Sequence, residues 1–289
     1  MYIESIELKN YRNYESLSLE LDKGTNIFYG DNAQGKTNIL EAAYLCGTTK
    51  SHRGSRDREM IRCGQDEAHI RMFVKKDGIS RKIDMHLKKT KAKGIAIDGI
   101  PIRKASELFG ILNIVFFSPE DLNIIKSGPG ERRRFMDLEL CQLNKLYLSN
   151  LSSYNRILNQ RNKLLKDIAF QPGLKDTLEV WDEQLAHYGA FLIESRKAFV
   201  EELNGIMEGI HRSITGDREQ IKLAYEPSVQ SSVFLEELTA ARERDIRFKM
   251  TSLGPHRDDL CVKVNEIDIR KYGSQGQQRT AALSLKLSE

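Results

Sequence analysis

Apolar residues in the first hundred positions recur at every second place. In E-S-L-S-L-E-L, Leu17, Leu19 and Leu21 alternate with polar residues, which predicts a half-buried strand. T-N-I-F-Y (25–29) is a short apolar run ending at a glycine-bounded loop, and it predicts another strand. Beyond a polar, arginine-rich stretch (50–66), A-H-I-R-M-F-V and I-S-R-K-I-D-M-H-L are separated by Lys76-Asp77-Gly78. Asp-Gly between two alternating runs signals a hairpin. G-I-A-I-D-G-I-P-I adds a further turn-bounded pair, so this region predicts an antiparallel sheet.

From about 120 the period changes. Met136, Leu140, Leu143, Tyr147, Leu151, Tyr154 and Leu158 step by fours and threes. After Gln171-Pro172-Gly173, a second series runs through Leu178, Trp181, Leu185, Tyr188, Leu192, Phe199, Leu203, Ile206 and Ile210. Both are helical seams of near-heptad spacing, and the Pro-Gly between them is a breaker. They predict an antiparallel helical hairpin with arms of roughly 50 Å at ~1.5 Å per residue. Strand character returns in D-D-L-C-V-K-V-N-E-I-D-I, followed by a Gly/Gln-rich loop and a helical run to Glu289 with no C-cap glycine.

Composition narrows the classes. The chain has 289 residues, 40% hydrophobic and 30% charged, as expected of a globular protein of one large or two ordinary domains. No stretch approaches the ~18 apolar residues of a membrane span, and M-Y-I-E-S-I-E-L-K-N has no signal-peptide profile, so the expected location is the cytoplasm. Cys46, Cys63, Cys141 and Cys261 are scattered, with no C-x-x-C and no His at metal-ligand spacing. The six histidines (His52, His69, His86, His187, His211, His256) show no ligand pattern. The formal charge is only +4, but Lys88, Lys89, Lys91 and Lys93 cluster, as do Arg132, Arg133 and Arg134. Such clusters suit either a phosphate backbone or a solvated surface.

The chemistry begins at Gly30-Asp31-Asn32-Ala33-Gln34-Gly35-Lys36-Thr37, which fits G-x-x-x-x-G-K-[ST] throughout. Successive backbone N–H groups can encircle a β-phosphate, Lys36 would reach the β- and γ-phosphates, and the Thr37 hydroxyl would ligate Mg²⁺. The motif follows the strand expected at 25–29 and opens the amphipathic N-I-L-E-A-A-Y-L, whose helix start adds partial positive charge. ATP and Mg²⁺ are the implied cofactors. Tyr272-Gly273-Ser274-Gln275-Gly276-Gln277-Gln278-Arg279 leads into a helix and is similar to the S-G-G-Q signature of ABC-type ATPases.

Four segments resemble the RecF family, DNA-repair ATPases related to the SMC proteins. They are L-K-N-Y-R-N-Y (8–14), the phosphate loop, S-P-E-D-L-N-I-I-K-S-G-P-G-E-R-R-R-F-M-D (118–137), and G-P-H-R-D-D-L (254–260) with S-Q-G-Q-Q-R (274–279). They run over nearly the whole chain in the family's order. The resemblance implies an α/β fold: an ABC-type P-loop ATPase lobe with an antiparallel β subdomain, plus an inserted, mainly helical lobe with a short helical hairpin. Residues 1–118 and 250–289 would form the ATPase lobe and 119–249 the helical lobe. The resemblance further implies an ATP-dependent homodimer that binds DNA and helps load recombinase at gapped DNA with RecR and RecO. By the same resemblance Arg12 would lie near the nucleotide phosphates, with a surface arginine as the plain alternative. Ser274, Gly276 and Gln277 would meet the γ-phosphate held by the opposite subunit. Arg132–Arg134 would equally pair with Glu131, Asp137 and Glu139, and His256 is either structural or close to nucleotide.

One expected part is missing. ABC-type ATPases carry the Walker B strand, with its metal-binding aspartate and water-polarising acid, after the signature helix, and nothing follows Glu289. The chain therefore looks truncated and hydrolysis-deficient. Ile114-Val115-Phe116-Phe117 followed by Glu120 and Asp121 superficially offers a strand and two acids, but Pro119 breaks it and its place in the order better suits the Q-loop. Two rivals share the ATP site: the ATP-binding subunit of an ABC-type transporter, and a non-catalytic switch in which ATP holds a dimer together. The transporter reading leaves N-Y-R-N-Y and G-P-H-R-D-D without a purpose.

Overall fold

The computed structural model describes residues 1–289, apart from the side chain of Ala105. It divides into two compact units, Met1–Phe116 and Phe117–Glu289. In the first, β1 (Tyr2–Tyr11), β2 (Tyr14–Glu20), β3 (Glu67–Lys76), β4 (Ile79–Lys88), β5 (Gly94–Ile97) and β6 (Ile100–Pro101) form one antiparallel sheet in the order β2-β1-β3-β4-β5-β6. The Asp77-Gly78 hairpin closes as expected, and β3 and β4 pair without a slip from Glu67↔Lys88 to Lys76↔Ile79. Alternation decides the faces: Ala68, Ile70, Met72 and Val74 are buried while Glu67, His69 and Arg71 point outward. Helix α1 (Lys36–Thr48) completes this core with Ile39, Ala42, Leu45 and Cys46.

The 25–29 strand is a correction. This segment is extended but pairs with no strand among the described residues, and Ile27 and Tyr29 are 77% and 91% exposed. Only Phe28 of this apolar run packs against the core, so burial fixes one side chain and no ladder fixes the backbone.

The second unit is mainly helical: α2 (Leu122–Lys126), α3 (Pro129–Leu143), α4 (Lys145–Asp167), α5 (Leu178–Thr215), α6 (Phe234–Ala240), α7 (Arg242–Phe248), α8 (Ile269–Tyr272) and α9 (Gln275–Leu287). A small antiparallel sheet of β7 (Ile221–Glu226), β8 (Asp259–Val264) and β9 (Ile267–Asp268) joins them. The first helical series is broken where one seam was expected. Asn144 leaves the helical region at φ −136°, and its side chain accepts from the N–H groups of Leu146 and Tyr147, so it starts α4 afresh. Leu143 is consequently exposed. In α5, Leu178, Leu185, Leu192 and Phe199 are buried at heptad spacing, but the seam then drifts to Leu203 and Met207 and leaves Ile206 exposed. A straight helix turns every 3.6 residues, so a 3.5-residue stripe rotates off the contact face.

The division at 116/117 also parts from the lobes expected from the sequence. Residues 250–289 group with the helical segment because β8 pairs with β7 and α9 packs along α5. Among the described residues no helix is long and apolar enough to cross a membrane.

Candidate nucleotide site

Residues 30–37 form a loop that ends at the first turn of α1. Gly30, Ala33 and Gly35 all have positive φ, at 136°, 66° and 96°. Gly35 is the residue that sterics most demand there. It is the N-cap of α1, and a Cβ on it would meet the Asn13 side chain at 2.5 Å. No side chain caps this helix, so the N–H groups of Lys36 and Thr37 keep their donor capacity, while that of Asn38 donates to the Gly35 carbonyl at 2.8 Å. The Lys36 ammonium donates to the carbonyls of Gly30 (2.7 Å) and Asp31 (2.6 Å), which draws it across the loop. Gly30 to Gln34 and Thr37 are exposed, and Lys36 is half-buried. Uncapped backbone donors at a helix start, a spanning ammonium and a free hydroxyl fit the phosphates and metal of Mg-ATP.

A residue that the sequence reading passed over braces this loop. Asn13 donates to the Gln34 carbonyl at 3.1 Å and accepts from Asn38 at 2.9 Å, and the Tyr14 hydroxyl also donates to Gln34. The signal was available, because Asn13 sits in the same N-Y-R-N-Y segment as Arg12.

Arg12 is bonded to α1 and to the 55–59 segment. Its guanidinium donates to both oxygens of Glu41 (2.8 and 2.6 Å), to the Glu59 carbonyl and to Ser55. Glu41 is fully buried in α1; burial alone would raise its pKa, but the bonds from Arg12 and Ser51 hold it below the usual carboxylate value.

The other expected residues lie on the second unit. Ser274 is the N-cap of α9, accepting from the Gln277 N–H while the Gln277 side chain accepts from the Ser274 N–H. Ser274, Gln275 and Gly276 are exposed, and Gln277 also donates to Glu219. Glu120 and Asp121 lie on the short 3-10 turn that Pro119 opens, after a segment that belongs to no named strand. Asp121 accepts from the Ser118 N–H at 2.5 Å, and burial raises its pKa.

The 254–260 segment is a structural hub. At Gly254, φ is +122° and a Cβ would meet the Tyr154 hydroxyl at 2.5 Å. His256 Nδ1 accepts from the Tyr154 hydroxyl (2.7 Å), and its Nε2–H donates to the Thr251 carbonyl (3.1 Å). Burial in that setting pushes the imidazole down to about 4. Asp258 is fully buried and accepts from Arg196, Tyr225 and the Ser228 N–H. Asp259 pairs with Arg132 at 2.6 Å and Arg270 at 2.9 Å. Arg133 donates to the Asp258 carbonyl, and only Arg134 pairs with Glu131. The arginine run therefore reaches across to 258–259, while Asp137 pairs with Arg196. In the lysine run, Lys88, Lys89 and Lys93 pair with Glu67, Asp66 and Asp57.

A phosphate loop that opens α1, in a unit whose core α1 shares with an antiparallel sheet, is the arrangement of a P-loop ATPase. Residues 1–180 match the AAA ATPase domain family. The chain is 66% identical over 289 residues to the DNA replication and repair protein RecF of Agathobacter rectalis, covering 100% of this chain and 80% of that protein. A solved structure of the recombination mediator protein RecF with ATP, from the RecFOR pathway, matches with a TM-score of 0.93 at 36% identity, covering 99% of this chain and 79% of that one. An SMC head bound to the C-winged helix domain of ScpA matches at TM-score 0.54 and 16% identity, covering 100% of this chain and 76% of that one, a likeness of fold alone. The chain belongs to the RecF family of DNA replication and repair proteins.

Proposed function

We propose that this chain is an ATP-dependent DNA-binding protein of recombinational repair, working in the cytoplasm. ATP, with Mg²⁺ on Thr37, occupies the loop at 30–37. The Ser274, Gly276 and Gln277 end of α9 meets the nucleotide of a second copy, and the resulting dimer binds DNA and helps load recombinase at gapped DNA with RecR and RecO. The observation that carries this reading is the pairing, in one chain, of an uncapped phosphate loop with an exposed, side-chain-capped helix start. Residues 250–289 then serve the ATPase lobe through their signature, although they pack with the helical unit. DNA contact rests on phosphate charge, so affinity falls steeply with salt and little with sequence.

Glu120 and Asp121 take the Q-loop position, with Asp121 accepting from the Ser118 N–H. Sedimentation of the chain with and without Mg-ATP tests the dimer. A dimer is expected only with Mg-ATP, and it should disappear in both Lys36→Ala and Ser274→Arg. A monomer throughout, or a Ser274→Arg variant that still dimerises, would defeat the reading.

A further inference from the structure

On the outward face of the first unit's sheet, cross-strand pairing lines up Lys9 of β1, His69 of β3 and His86 of β4 side by side, with Gly94 of β5 beyond them. Glu67 lies two residues before His69 on the same face of β3. The two imidazoles stack at 4.0 Å between centroids and 23° between planes. His86 Nε2 lies 2.7 Å from Glu67 Oε2, and one donor atom from each of the three residues lies within 4.8 Å of the others. Both histidines line an open groove of about 570 Å³ on this face.

We propose that Glu67, His69 and His86 form a binding site for a first-row divalent transition metal, with Zn²⁺ as its probe. The donor set decides the class. Two imidazoles and one carboxylate suit Zn²⁺ and its neighbours, whereas Mg²⁺ and Ca²⁺ take oxygen shells. The backbone is already organised for it, because β3 and β4 pair in register over their whole length and ordering the ligands costs little. Gly94 opposite His86 carries no side chain, which leaves the metal's remaining position open toward the groove. Three protein ligands with one open position describe a site that holds water or a further donor rather than a closed structural site. Charge limits the affinity. Lys9 faces His69, and Lys88 lies 3.6 Å from Glu67 Oε1, leaving Oε2 for the metal. Arg71 is occupied by Asp84 and Glu7 and adds little further repulsion.

The test is titration of the full chain with Zn²⁺ alone, in buffer free of nucleotide, against a competing chromophoric chelator. One Zn²⁺ per chain is expected. His69→Ala, His86→Ala and Glu67→Gln should each weaken it at least ~10-fold, since even the outer-shell partners of metal ligands are worth ~10- to 100-fold. His187→Ala and Cys63→Ser, both exposed and elsewhere, should leave it unchanged. A second reading needs no variant: Co²⁺ bound to the unaltered chain should absorb as a nitrogen–oxygen site with no thiolate charge-transfer band. No stoichiometric Zn²⁺ binding, unchanged affinity in both histidine variants, or a thiolate band would each overturn the proposal.

Discussion

The phosphate loop at 30–37 and the hub at 254–260 are both motifs legible in the sequence, yet they spend their polar groups in opposite ways. The loop keeps its capacity free: the helix start is uncapped, most of its residues are exposed, and Lys36 rests on two carbonyls from which phosphates can draw it. The hub spends its capacity internally, with Asp258 and Asp259 held by arginines and His256 fixed on both nitrogens. Substitution in a site that awaits a ligand costs binding, whereas substitution in a satisfied network costs stability.

Arg196→Met is the largest expected break of the hub. It leaves Asp137 and the buried Asp258 without their shared cation and should cost about 3–5 kcal/mol, read by chemical denaturation. Nucleotide affinity measured well below the melting point should stay at the unaltered value; a parallel loss would mean the two segments are coupled.

Arg12→Ala sharpens the comparison within the first unit. It leaves the buried Glu41 carboxylate without its cation, with Ser51 still donating to it, and should cost about 2–4 kcal/mol. Unchanged ATP affinity makes Arg12 a partner of Glu41, and a tenfold loss well below the melting point makes it a phosphate ligand as well.

The hub should also be acid-sensitive. The folded His256 imidazole titrates near 4 and the unfolded one near its ordinary ~6.5, so between those values the unfolded chain binds more protons. Stability is therefore fully present above about pH 6.5 and falls by about 3 kcal/mol as pH drops to 4. Comparing the pH dependence of unfolding with that of His256→Gln isolates this contribution, and identical slopes would refute it. The smallest effect is expected at α9, where Ser274→Ala removes a cap and should cost about 1 kcal/mol in thermal unfolding.

The sequence made most of this fold legible where period and turn chemistry agreed. Alternation on both sides of Asp77-Gly78 foretold β3 and β4, and the heptad through Leu178, Leu185 and Leu192 foretold α5. It misled where burial or pairing depended on the rest of the molecule. The 25–29 run is as apolar as a strand, but no described strand pairs with it. The break at Asn144 depended on a capping side chain inside an otherwise continuous seam. The phosphate loop was readable residue by residue because its chemistry is local. Arg12's attachment to Glu41 was not, since the two are far apart in the chain. His69 and His86 look unrelated until their equal distance from the Asp77-Gly78 turn pairs them across the hairpin.

The central claim is that residues 30–37 bind ATP with Lys36 at the phosphates, and calorimetric titration of Mg-ATP into the chain and into Lys36→Ala tests it most directly. The account predicts one site per chain and a loss of about 100-fold in the variant, as expected for a lost charge-assisted contact to phosphate. Equal affinity in the two proteins, or no binding to the unaltered chain, would contradict it.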